Sequence, residues 1–108
     1  MNFDTFIQKT SFTGLCTLYA IGLSFEKHQA FKPDDVFEEI LGTSQYSYGF
    51  IVACSSVDML EYNLKNDVLT IKSISFDITK LKNKIYSLLE SDFQHSKEEV
   101  KKIEDFFD

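Results

Sequence analysis

The feature that most constrains this chain is an apolar run near its start. Residues 15–25 read LCTLYAIGLSF, broken only by Thr17 and Ser24. Wound as a helix, the run is apolar on every side, so the rest of the protein must enclose it. Drawn as a strand, it places Leu15, Tyr19, Ile21, Leu23 and Phe25 on one face. Its length favours a buried helix within residues 12–27, with a central strand as the alternative. The run is well short of the roughly 20 residues needed to cross a bilayer.

Enclosing such a segment takes apolar material, and the chain has it: 44% of its 108 residues are hydrophobic, including eleven Phe and five Tyr. That length makes one domain, residues 1–108, able to bury a core without disulfide or metal staples. Helical periods mark both ends. Phe3, Asp4, Phe6 and Ile7 read as a helix start. In residues 34–41, Val36, Phe37, Ile40 and Leu41 fall on one side of a short helix and Asp34, Asp35, Glu38 and Glu39 on the other. Pro33 suits its first turn and Gly42 its stop. Asp77 can cap a helix whose stripe is Ile78, Leu81, Ile85, Leu88 and Leu89. Ser96 and Glu99 have capping-box spacing ahead of a last helix lined by Val100, Ile103 and Phe107, with Glu98 placed to pair with Lys102.

The middle reads as an antiparallel meander. Tyr46, Tyr48, Phe50, Val52 and Cys54 alternate along one strand, with Gly49 marking a bulge or close approach. Leu60, Tyr62 and Leu64 alternate along the next, and Asn66-Asp67 makes a two-residue turn into a third strand over residues 68–76. The expected architecture is α+β: a three-stranded antiparallel β-sheet packed against N- and C-terminal helices.

Seventeen acidic residues stand against eleven basic ones, a net charge of −6, and every base is lysine. Without the planar fork of arginine, an acidic domain repels a polyanion and reads it poorly, which argues against nucleic-acid binding. The same balance favours a positively charged protein partner. No membrane contact is expected. The start of the chain lacks a basic n-region and a cleavage pattern. Cys16 and Cys54 sit in apolar stretches and read as reduced, buried thiols of a cytoplasmic protein.

No motif points to catalysis or to a cofactor. Paired acids on a solvated helix face stay ionised together and do not separate in pKa as general acid–base work requires. Cys16 and Cys54 would need His28 or His95 as a base, and these four residues lack both nucleophile signatures and zinc spacing. The four glycines make no phosphate loop. The candidate partner-binding residues are therefore Asp34, Asp35, Glu38 and Glu39, four anions on about two turns, with Tyr46 and Tyr48 as aromatic anchors. The plain alternatives are a solvated helix face for the acids and core packing for the tyrosines.

In kind, the chain resembles the bacterial immunity proteins that neutralise a cognate toxin, including those of contact-dependent inhibition systems. The acidic face of Asp34, Asp35, Glu38 and Glu39 carries the resemblance, together with the all-lysine acidic balance of a small cytoplasmic domain. The resemblance implies a non-enzymatic protein, a monomer on its own, that holds a basic toxin, often a nuclease. Its carboxylates would stand in for substrate phosphates and mask the active site or a neighbouring surface. Two other classes remain: a dedicated chaperone for a secreted protein, which would be a tight dimer with an apolar groove, and a small thiol enzyme.

Overall fold

The apolar run lies in a helix. The computed structural model describes residues 3–42, 44–56, 58–90 and 94–108, without the side chains of 44–48 and 94–96. The chain runs α1 (Phe3–Lys9), α2 (Phe12–Glu26), a π-helical turn (Asp34–Glu38), α3 (Ser44–Ser56), β1 (Leu60–Lys65), β2 (Val68–Ile74), α4 (Ile78–Glu90) and α5 (Gln94–Phe106).

Ser11 starts α2, its Oγ accepting from the Gly14 N–H at 3.1 Å. The helix then buries every residue from Gly14 to Gly22, and Ser24 beyond them. Its polar interruptions are satisfied close by. The Thr17 hydroxyl donates to the Thr13 carbonyl at 2.9 Å, and the Ser24 hydroxyl to the Gln29 carbonyl at 2.6 Å. α4, α5, β2 and α3 pack around it. At Gly22 the approach of α4 is close: a Cβ there would lie 3.0 Å from Ile78 Cγ1.

The two C-terminal helices follow their apolar stripes. Asp77 Oδ1 accepts from the N–H groups of Thr79 and Lys80 at 2.9 and 3.2 Å and caps α4. Leu81, Ile85 and Leu89 are buried, and Ile78 and Leu88 half-buried. Val100, Ile103 and Phe107 bury the inner side of the last segment. α5 begins at Gln94, so Ser96 lies inside it rather than ahead of it. The side chain of Ser96 is outside the described residues. Among those residues the salt bridge is Lys80–Asp4, at 3.5 Å, and the expected Glu98–Lys102 pair is not formed.

Among the described residues, the expected three-stranded sheet is corrected to two strands, β1 and β2, within an α+β fold. Residues 44–56 form α3 instead of a strand. The sequence YSYGFIVAC fits a period of two, but burial follows helical spacing: Ile51 and Cys54 are buried, while Val52 is 54% exposed. Gly49 is exposed on this helix, and a Cβ added there would meet nothing within 4 Å, so it marks neither a bulge nor a close approach.

The turn between the strands is as expected. Asn66 and Asp67 have φ of 54° and 62°, the left-handed pair of a type I′ hairpin, and Lys65 faces Val68. Register slips once, where Glu61 faces Ser73 but Tyr62 faces Ile71, leaving Lys72 as the extra residue. That bulge lets Leu69, Ile71 and Ile74 all face Leu64, Tyr62 and Leu60 despite the break in alternation. On the outer edge of β2 a single residue, Phe31, bridges to Leu69.

Helical and extended geometry for residues 44–56 make opposite demands on two neighbours. Ile51→Ala should cost about 2–5 kcal/mol in urea unfolding. Val52→Ala should stay within about 0.5 kcal/mol. The reverse ranking would contradict the helical face.

Candidate functional site

The acidic segment is held to the core by its apolar side. Val36 and Phe37 are fully buried, Leu41 is buried and Ile40 half-buried. Phe37 meets Phe31 edge-on at 5.6 Å between ring centres, and Phe31 meets Phe107 in the same way at 5.4 Å. Phe31 also exchanges two backbone hydrogen bonds with Leu69, at 2.8 and 3.1 Å. Phe31 thus ties the segment to β2 and to Phe107, and α3 packs against the segment as well.

Its winding is wider than an α-helix. The Glu39 N–H donates to the Asp34 carbonyl at 3.0 Å and the Leu41 N–H to the Val36 carbonyl at 3.1 Å, both bonds spanning five residues. Gly42, at φ +69°, ends the turn in the left-handed region that suits glycine. Asp34, Asp35, Glu38 and Glu39 are all exposed on the outer side. The hairpin adds a charge that local sequence did not place there: Asp67 joins Lys32, Pro33, Asp34 and Asp35 around a recess of about 290 Å³. Tyr46 and Tyr48 belong to α3, not to a strand beside this surface, and their side chains lie outside the described residues.

A second polar feature joins three helices. The buried Tyr19 of α2 donates to Glu104 Oε2 at 2.7 Å, and Tyr86 of α4 reaches both oxygens of the same carboxylate at 2.8 and 2.9 Å. Burial, then the Glu104 carboxylate, push both phenols above their ordinary pKa. A groove of about 450 Å³ opens beside this junction, lined by Leu89 and Val100 and flanked by Lys97, Lys101, Glu90 and Glu104. Residues 19, 86 and 104 are distant in sequence and no local pattern links them.

The other sequence candidates are the two cysteines and the two histidines. Cys16 and Cys54 are free and fully buried, and burial pushes each thiol up to about 12. Such thiols are protonated, and so poorly nucleophilic, at neutral pH. His28 is exposed at the end of α2, at φ 53°. His95 lies in α5, with its side chain outside the described residues. Among the described residues no group of three or more His, Cys, Asp or Glu is placed to hold a metal ion, and no helix is long and apolar enough to cross a membrane.

The buried thiols set an alkaline limit. Their folded values lie near 12 against an ordinary 9.0, so the unfolded chain loses these protons first as pH rises. Their contribution to stability is complete below pH 9 and is lost as pH rises from 9 towards 12. Urea unfolding across that range should show a shallower decline for Cys16→Ala or Cys54→Ala than for the natural chain. An unchanged slope would mean the thiols are not held protonated by burial.

In comparisons with protein-family models, curated proteins and solved structures, the chain has no significant match.

Proposed function

We propose that this chain is a binding module for a basic protein, and in its most concrete form a neutraliser of a cognate basic toxin, such as a nuclease. The observation that carries the proposal is the exposed acidic turn. Asp34, Asp35, Glu38 and Glu39 point outward from a segment whose other side is locked into the core, with Asp67 alongside. Like charges this close repel each other by a few tenths of a kcal/mol per pair. A cationic partner would relieve that repulsion.

The anchoring matters for the mechanism. Phe31, Phe37 and Phe107 fix the turn before any partner arrives, so little ordering would be needed on binding. The carboxylates would occupy positions that substrate phosphates take against the lysines and arginines of a nuclease. Long-range attraction would speed encounter, and screening by salt would weaken the complex. The thiol route to catalysis finds no support in two buried, protonated cysteines.

The test is capture of partners from a lysate of the source organism at low salt, followed by stepwise elution with salt. A basic protein released by high salt is expected. Reversing the four charges (Asp34→Lys, Asp35→Lys, Glu38→Lys, Glu39→Lys) should leave the circular dichroism unchanged and weaken that complex at least about tenfold, or ~1.4 kcal/mol. Equal binding by the charge-reversed protein would rule out this surface.

A further inference from the structure

The two edges of the hairpin differ. On β2, the Leu69 N–H and C=O both engage Phe31, at 2.8 and 3.1 Å, so they point away from β1. Leu64 faces Leu69 across the ladder. In an antiparallel pair both residues of such a position turn their backbone groups outward, so the Leu64 N–H and C=O leave β1 on its far side. Tyr62, two residues earlier, does the same. The turn gives the same parity independently: in a two-residue hairpin the closing pair, Lys65 and Val68, is hydrogen-bonded, which makes the next pair outward-facing. Among the described residues, no strand or bridge occupies that edge of β1.

The side chains along this edge complement themselves. Glu61, Asn63 and Lys65 alternate on the face away from the core and are all exposed. Tyr62 and Leu64 lie on the other face, with Leu64 43% exposed.

We propose that β1 pairs antiparallel with β1 of a second copy, centred on Asn63, to form a four-stranded sheet. In this register Glu61 of each copy faces Lys65 of the other. Tyr62 of each faces Leu64 of the other, and Asn63 faces its own counterpart. The Tyr62–Leu64 positions are the ones whose N–H and C=O point outward, so they form the hydrogen-bonded pairs. The charged pairs fall at the intervening positions, where cross-strand side chains are closest. Neighbouring registers are worse. A shift of one residue opposes outward-pointing groups to inward-pointing ones. Centring on Leu64 sets Glu61 against Asp67, and centring on Tyr62 leaves Glu61 opposite Asn63 and unpaired with lysine.

The contact is isologous, with the two-fold axis normal to the sheet. It is a short strand pairing, so the dimer is concentration-dependent. The proposed pairing departs from the lone monomer that the resemblance implies. The acidic turn follows Phe31 on the opposite edge of the hairpin, so self-pairing does not depend on the partner-binding proposal and leaves that surface open.

Sedimentation velocity from about 10 µM to about 1 mM tests the pairing. The natural chain should shift from monomer to dimer. Glu61→Lys and Lys65→Glu each set like charges opposite and should weaken the dimer at least about tenfold. The double variant, Glu61→Lys with Lys65→Glu, restores opposite charges and should recover it. Leu64→Pro removes an outward N–H that makes no bond within the hairpin, and should abolish pairing while circular dichroism shows the fold retained. A natural chain that stays monomeric throughout would overturn the proposal. So would a dimer indifferent to Glu61→Lys and Leu64→Pro, or a double variant no better than the singles.

Discussion

Burial of the middle of α2, from Gly14 to Gly22, governs the rest of the architecture. A helix buried from Gly14 to Gly22 has no solvent face on which to place a polar group, so each polar atom it carries must find an internal partner. Thr17 and Ser24 solve this locally, through carbonyls within five residues. Tyr19 cannot, and its hydroxyl draws on Glu104 from α5. Surrounding the helix also dictates its neighbours: α4, α5, β2 and α3 all pack against it.

Where the pattern was unambiguous, sequence and structure agree. The stripe of α4, its Asp77 cap, the inner face of α5 and the Asn66-Asp67 turn all depend on short-range chemistry that neighbouring residues dictate. Residues 44–56 were harder because aromatic and β-branched residues at alternate positions satisfy strand spacing, while Ile51 and Cys54 satisfy helical spacing equally well. Tertiary packing decides between them, and it placed Val52 in solvent. The β2 bulge at Lys72 is similarly invisible without its partner strand, because it shows only as a register slip against Glu61 and Tyr62. The acidic face was legible because all four carboxylates lie within six residues. Asp67 was not, since the fold brings it from the hairpin, and the Tyr19–Glu104–Tyr86 junction likewise assembles from three separate helices.

Phe31 connects the two surfaces to which roles are assigned. Its backbone occupies the outer edge of β2, and its ring stacks edge-on against Phe37 beneath the acidic turn. One residue thus blocks one edge of the hairpin and seats the carboxylates beside it. The opposite edge, along β1, has no such cover among the described residues. A small sheet with one edge stoppered by a single residue and the other bare has a direction in which it can extend.

The shared carboxylate of Glu104 has a spectroscopic consequence. The chain contains no tryptophan, so its near-ultraviolet absorption and emission come from five tyrosines and eleven phenylalanines. Two of those tyrosines, on α2 and α4, donate to one anion on α5. A phenol bonded to a carboxylate differs in absorption and emission from one bonded to water. Separation of these three helices therefore registers directly in the tyrosine signal, and the protein carries an intrinsic optical reporter at its helical junction.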